Sequence, residues 1–267
     1  REMFLVKMMC VLFMKRLESS WFALKSTVEK VLNVHKETLY KVDKYEKEGV
    51  DDIIRVGEEV DDDDYDEQII RRRQIKVSDI KNLEGFKEGL QHDCDLLGKI
   101  YSGLQDFEQK YNQKEEQDLK LEELVKILKE KKNAKNKKVV IFTAYADTAK
   151  FIFEELKKRG FTKMASASGQ DILSTGSHSK QDFTDVLQSF APYSKLYKER
   201  DWSDLYEKQP DVATYYNEDK QQWHVPYDKW MTLVKKHCPE YARLLDDDID
   251  ILIATDCLSE GQNLQDA

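Results

Sequence analysis

The chain has 267 residues, of which 40% are hydrophobic and 36% charged, and its formal net charge is −9. This length allows one large domain or two ordinary ones, and the high charge content suits long solvated helices better than one compact core. The net charge excludes a protein that coats nucleic acid over its whole surface. A local basic groove remains compatible with it, because steering depends on the local field.

The cellular location is predicted from the N-terminus and the cysteines. Residues Met3 to Met14 are apolar enough to resemble a signal peptide, but Lys7 interrupts them and no small-residue cleavage site follows. The stretch is also too short to span a bilayer, so we expect no membrane partner. The four cysteines form no CxxC pair and are interpreted as buried, reduced thiols. A cytoplasmic protein is therefore expected.

The first 135 residues are predicted to form an all-helical region. Apolar residues recur at three- and four-residue steps as far as about residue 48, and Gly49 is the predicted stop of this first helix. Ser78 is a candidate N-cap for a second helix that begins near Asp79. A further helix is predicted over about Leu119 to Lys132.

Residues 49 to 77 interrupt the helical pattern. Four consecutive acidic residues, Asp61 to Asp64, precede the basic run Arg71 to Arg73. The acidic run could be imagined as a metal site, but a solvated linker is the favoured interpretation. No metal site is therefore assigned.

A lysine-rich segment follows the last of these helices. It contains Lys131, Lys132, Lys135, Lys137 and Lys138. Lysines suit the negative end of a helix dipole, which is the favoured explanation. Phosphate binding is the alternative that the sequence leaves open.

An α/β pattern begins at Val139. The apolar run 139–142 predicts a buried strand, a helix is predicted over about 148–159, and a second strand over about 161–167. Another buried strand is predicted over 250–254. Strands that alternate with a helix in this way indicate a βαβ unit and a parallel sheet.

The stretch between the last two strands is interpreted as an insertion. A helix is predicted over about 179–190, where Pro192 stops it, and the insertion itself covers about 193–248. Residues 196–245 are rich in aromatic side chains, namely Tyr197, Trp202, Tyr206, Tyr215, Tyr216, Trp223, Tyr227, Trp230 and Tyr241. Stacking on bases is one interpretation, but an aromatic core within a small helical insertion is favoured.

The most informative segment is the last one, 251–267, which reads ILIATDCLSEGQNLQDA. A buried strand passes there into a polar loop, and in open α/β sheets ligands bind at the carboxyl ends of the strands. Gly261 would let the backbone approach a ligand closely, and the hydroxyls of Thr255 and Ser259 suit phosphate oxygens.

This segment resembles motif V of superfamily 2 helicases, in the form found in the RapA and Swi/Snf-related branch, and the resemblance is to the bacterial type. The strand and turn 140–145, with the following Asp147, Thr148 and Ala149, resemble motif IV of that branch. Shorter stretches at 15–20, 118–121 and 190–192 are also similar to it.

The resemblance implies a RecA-like parallel sheet over 136–267, the second motor lobe in truncated form. The implied nucleic-acid contacts are Thr143, Tyr145, Thr255, Asp256 and Ser259. The implied nucleotide contacts are Glu260, Gly261, Gln262 and Asn263. Asp256 and Glu260 would also organise the loop and couple the two ligands. The implied partners are nucleic acid, with double-stranded DNA expected, and the first lobe of the same parent chain.

Two motifs of a complete motor are missing from these 267 residues. No GxxxxGK[ST] phosphate cradle occurs, and the motif that supplies an arginine finger is not present. The chain is therefore interpreted as a piece of an ATP-dependent helicase or translocase. ATP and Mg²⁺ would act in the parent, and this piece alone is expected to lack catalytic residues and ATP turnover. The alternative is a catalytically degenerate, helicase-like scaffold that binds protein partners.

Overall fold

The computed structural model describes residues 2–56, 73–169, 171–176 and 182–255. The chain forms two compact units. The first comprises residues 1–122 together with 145–148, and the second comprises residues 123–144 and 149–267.

The first unit begins with two helices where the sequence predicted one. They are α1 (Glu2–Ser19) and α2 (Trp21–Glu48). Ser20 separates them because its backbone is extended and its hydroxyl accepts a hydrogen bond of 3.0 Å from the N–H of Ala23. Gly49 ends α2 with a φ of 70°, which confirms the predicted stop.

An antiparallel hairpin follows within 49–77, where the sequence predicted a linker, so the expectation that the first 135 residues are all-helical is wrong. Strand β1 (Ile53–Val56) pairs with β2 (Arg73–Lys76), and Ile54 lies opposite Ile75. The buried Ile54 packs with Val42 of α2, and this contact supplies the apolar face that a short hairpin needs. The acidic run Asp61 to Asp64 lies outside the described residues.

Helix α3 (Leu83–Asn112) begins later than the sequence predicted. Its N-cap is Asn82, whose side chain accepts from the N–H of Gly85 at 3.1 Å. The predicted cap, Ser78, lies in a 3₁₀ turn over Val77–Asp79 instead. Its hydroxyl donates to Asp51 at 2.7 Å and its N–H donates to the same carboxylate at 3.0 Å, so Ser78 ties the two ends of the hairpin together.

The remaining elements, in chain order, are α4 (Leu119–Lys131), β3 (Val139–Phe142), α5 (Ala146–Lys158), β4 (Met164–Ser168), β5 (Asp171–Ser174), α6 (Phe183–Phe190), α7 (Ser203–Tyr206), β6 (Tyr216–Asn217), β7 (Gln222–Trp223), α8 (Tyr227–His237), α9 (Pro239–Asp246) and β8 (Ile251–Ala254). One π-helical turn covers Tyr193–Lys198, and a 3₁₀ segment covers Pro210–Tyr215.

The second unit is built on a small mixed sheet with the strand order β3-β8-β4-β5. Strands β3, β8 and β4 are parallel, and β5 is an antiparallel edge strand. The sequence predicted the three parallel strands but not β5, which follows a turn at Gly169 with a φ of 55°. Strand β4 also starts at Met164, three residues later than predicted.

Helices cover both faces of this sheet. One face carries Ala165, Ala167, Leu252 and Ala254, which pack against Val186, Leu187 and Phe190 of α6. The other carries Met164, Ile251 and Ile253, which pack against residues of α4 and α5. Alternate residues of β4 and β8 thus face opposite cores, as a buried parallel sheet requires.

The aromatic-rich insertion has a core of its own, as the favoured interpretation of these side chains expected, although Tyr216 lies outside this core and is 40% exposed. Trp202, Tyr206 and Trp230 are buried together with Leu196, Leu233 and neighbouring apolar residues. The indole N–H of Trp202 donates to the carbonyl of Leu196 at 2.9 Å, and the Tyr197 hydroxyl donates to that of Val225 at 2.6 Å. In the described part of the chain, none of the helices has the length and apolar character needed to cross a membrane.

Candidate functional site

Three hydroxyl residues lie side by side at the carboxyl edge of the sheet. Thr143 follows β3, Thr255 follows β8, and Ser168 is the last residue of β4. We call these three residues the hydroxyl row. The ladder continues through them, because the N–H of Thr143 donates to Ala254 at 2.9 Å and that of Thr255 donates to Ala167 at 3.3 Å. Each of the three residues directly follows Phe142, Ala254 or Ala167, which are paired across the neighbouring parallel strands, so Thr255 lies between Thr143 and Ser168.

The hydroxyl row also lies on a single face of the sheet. Val139 and Ile141 of β3, Met164 of β4, and Ile251 and Ile253 of β8 all belong to the core that α4 and α5 cover. The two-residue alternation puts all three hydroxyl residues on that face, one step beyond Ile141 and Ile253 and two steps beyond Met164. Thr143 is 9% exposed, Thr255 4% and Ser168 8%, so only a small part of each reaches the surface of the edge.

The chemistry available at this row is hydrogen bonding without charge. Serine and threonine hydroxyls both donate and accept, and they are uncharged at neutral pH. They can orient the oxygens of a phosphate, but they cannot neutralise it. A row of this kind therefore suits positioning along a phosphate backbone better than acid–base chemistry.

Tyr145, the other expected contact in this region, is buried. The segment 145–148 belongs to the first unit, where Tyr145 is 5% exposed. The guanidinium of Arg16 lies 3.9 Å from the centre of its ring and 3.7 Å from the carboxylate of Asp147. Arg16 is itself 2% exposed, so the aromatic ring and Asp147 hold a buried cation between them.

The same segment is fixed by a group of three hydroxyls. The Thr148 hydroxyl lies 2.7 Å from that of Ser19 and 2.9 Å from that of Ser20. Thr148 and Ser20 are both buried. These bonds hold the start of α5 against the junction of α1 and α2 within the first unit.

Most of the predicted site lies outside the described residues. This applies to Asp256 and Ser259, expected to contact nucleic acid, and to Glu260, Gly261, Gln262 and Asn263, expected to contact a nucleotide. Their assignments remain predictions. Among the described residues, no group of three or more His, Cys, Asp or Glu side chains is arranged to hold a metal ion.

Sequence reasoning missed Ser168. The signal was present, because Ser166 and Ser168 alternate with alanines in a strand whose residues are all buried. A serine at the carboxyl end of a buried parallel strand has the same position as Thr143 and Thr255. Recognising it required knowing that β8 lies between β3 and β4, and the order of strands along the chain does not give this.

No family model, curated protein or solved structure matches this chain.

Proposed function

We propose that this chain contributes the second lobe of an ATP-driven nucleic-acid motor, with a RecA-like arrangement of its sheet, and that its hydroxyl row contacts the backbone of double-stranded DNA. The proposal combines the motif resemblance at 140–149 and 251–267 with the position of Thr143 and Thr255. A first lobe would supply the phosphate cradle, which these 267 residues do not contain.

One observation supports the proposal most strongly. Thr143 and Thr255 lie more than 100 positions apart in sequence, yet each directly follows one member of the pair Phe142–Ala254, so they lie opposite each other at the carboxyl ends of adjacent parallel strands. Ligands of open α/β sheets bind at this edge. The two motifs that resemble helicase motifs IV and V therefore converge on one edge, as a shared contact surface requires.

The chemistry of the row suits a protein that moves along a strand. Hydroxyl contacts to phosphates carry no information about base sequence, so binding should depend weakly on sequence and strongly on salt. The segment 256–263 follows Thr255 directly in the sequence. In the proposal it links strand contact to a nucleotide through Glu260, Gly261, Gln262 and Asn263, with Mg²⁺ bound alongside ATP in the assembled motor.

The test is a fluorescence anisotropy titration of the chain with labelled duplex DNA over a range of salt concentrations. Thr255→Val removes the hydroxyl at nearly constant volume, and Thr255→Ser keeps it. We expect the valine variant to bind about fivefold more weakly, because one neutral hydrogen bond contributes about 1 kcal/mol. The serine variant should bind nearly as well as the parent. Thr143→Val should resemble Thr255→Val.

Two results would contradict the proposal. One is the absence of DNA binding even at low salt. The other is equal binding by the valine and serine variants at both positions. Either result would favour the alternative that the chain is a helicase-like scaffold for protein partners. Thr232→Val, on the exposed surface of α8, is the matched control and should leave binding unchanged.

A further inference from the structure

A basic cleft lies at the opposite, amino-terminal edge of the same sheet. Its five lysines are Lys135, Lys137, Lys138, Lys163 and Lys235, and its volume is about 820 Å³. We call it the lysine cleft. Its size falls within the range of about 300–1,000 Å³ that is usual for small-molecule sites.

The ends of three parallel strands give the cleft its floor. Lys138 directly precedes β3, and Lys163 directly precedes β4. Between them, Asp250 at the start of β8 accepts from the N–H of Val139 at 2.8 Å and donates to the carbonyl of Lys163 at 2.7 Å. These backbone bonds fix the separation of the two lysine positions across the central strand.

Asp248 orients the lysines of this floor. The Lys138 ammonium donates to the Asp248 carboxylate and, at 2.6 Å, to the carbonyl of Ile249. Lys163 lies 3.6 Å from the same carboxylate. The ammonium of Lys138 is therefore used by two contacts within the floor, whereas the exposed Lys163 can also bind another anion.

The lysine cleft has an excess of positive charge. Its five lysines are opposed by two lining acids, Asp246 and Asp248, in a chain whose net charge is −9. Lys235 pairs with Asp246 at 2.6 Å. Lys135 and Lys137 are exposed and form no ion pair with any residue that the structure describes. A concentration of like charge in a concave site attracts anions.

Two tyrosines give the cleft an aromatic wall. Tyr193 and Tyr227 are half-buried lining residues whose rings meet edge to face, with centroids 5.2 Å apart. Tyr227 is further supported by stacking on the buried Trp230 at 5.2 Å. Rings held in this way can pack against a flat apolar group at little cost in conformational entropy. The cleft thus combines free cations with fixed aromatic surface.

We propose that the lysine cleft is a nucleotide site, in which Lys135 and Lys137 bind phosphate oxygens and the Tyr193–Tyr227 wall packs against the base. The nucleotide can come from two sources, as a free mononucleotide or as one unit of a single strand. The proposal does not depend on the motor assignment, because this edge is opposite the one that carries the hydroxyl row.

The test uses the whole 267-residue chain and two probes, a fluorescent mononucleotide and a short labelled oligothymidylate. The variant Lys135→Ala/Lys137→Ala should weaken oligothymidylate binding on the order of tenfold at low salt. Its slope of log K against log salt should be shallower by about 1.4, since each neutralised phosphate of a single strand contributes about 0.7. The matched control Lys157→Ala/Lys220→Ala removes the same charge from exposed positions elsewhere in the second unit and should bind like the parent.

The results distinguish a free mononucleotide from a single strand as the ligand, and binding at the lysine cleft from binding at the hydroxyl row. Binding of both probes, sensitive to the cleft lysines, indicates a free-nucleotide site, and binding of the oligothymidylate alone indicates a strand site. Equal loss in the control variant would overturn the proposal, as would equally tight, lysine-dependent binding of an oligoglutamate peptide. Loss in Thr255→Val without loss in the lysine variant would overturn it too, while supporting the proposed function.

Discussion

Replacing each of the two buried tryptophans of the insertion by phenylalanine should change its stability by different amounts, because only one of them forms a hydrogen bond through its indole N–H. Trp202 is 6% exposed, and its indole N–H donates to the carbonyl of Leu196 at 2.9 Å. Trp230 is fully buried, and its indole nitrogen has no hydrogen-bond partner among the described residues. Phenylalanine removes the N–H and a similar part of the ring at both positions.

The magnitude follows from this difference. Trp202→Phe leaves the buried carbonyl of Leu196 without this donor, at a cost of about 1–3 kcal/mol beyond the loss of ring volume. Trp230→Phe loses ring volume but also removes an unsatisfied buried donor, which offsets part of that loss. We therefore expect Trp202→Phe to destabilise the insertion by at least about 1 kcal/mol more than Trp230→Phe.

Hydrogen exchange of the α8 amides measures this directly, because α8 contributes Trp230, Leu233 and Val234 to the aromatic core. A difference of 1.4 kcal/mol would appear as about tenfold faster exchange in Trp202→Phe than in Trp230→Phe. Equal exchange in the two variants, or faster exchange in Trp230→Phe, would show that the hydrogen bond of Trp202 does not stabilise the insertion.

Three further predictions concern the first unit. The hydroxyl and N–H of Ser78 hold the pKa of Asp51 below its usual range, so the stabilisation is present above the unfolded pKa and is lost as the pH falls through the folded one. Ser78→Ala should raise the Asp51 pKa in a carboxyl-carbon NMR titration, and an unchanged value would contradict this. Burial raises the pKa of the Cys94 thiol, so a maleimide at neutral pH should label the exposed Cys10 first. Peptide mapping would measure both rates, and equal rates for the two cysteines would contradict this prediction. Arg16→Lys should cost about 1–2 kcal/mol, because an ammonium cannot stack on Tyr145 as a guanidinium does. Faster hydrogen exchange at 145–148 would show this loss, and unchanged exchange would argue against it.

The elements that the sequence predicted best are those whose pattern is purely local. The apolar runs at 139–142 and 251–254 both form strands, but only the central strand β8 is buried along its whole length, as such a run in a covered sheet should be. Strand β3 lies at an edge of the sheet, where Phe142 is 53% exposed, so its predicted burial is wrong. Gly49 ends α2 because glycine readily adopts the left-handed conformation that the C-cap needs. In these cases a few adjacent residues contain the physical cause.

The elements that it missed depend on partners far away in sequence. Strands β1 and β2 are separated by residues 57–72 and are supported by Val42 of α2, so no short turn marks the hairpin. Ser78 resembles a helix cap, but its hydroxyl is used by Asp51 instead. These contacts become visible only when the fold brings the partners together.

In the candidate site too, the local residues were predicted and the long-range arrangement was not. Thr143 and Thr255 were expected from the motifs, and the structure adds that they lie at the ends of adjacent strands, with Ser168 beside them. Only part of the lysine cleft can be recognised from the sequence. Lys135, Lys137 and Lys138 form a visible run, whereas Lys163 and Lys235 join them through strand and helix placement.

Photo-cross-linking can locate the proposed contacts between the hydroxyl row and DNA. Duplex DNA carrying photoreactive groups on its phosphate backbone would be irradiated with the 267-residue chain, and the attached peptides would be mapped by mass spectrometry. Attachment is expected at Thr143 and within 255–263, with less of it when Thr143 and Thr255 are both valine. Attachment confined to other parts of the chain, unaffected by those substitutions, would contradict the proposed contacts.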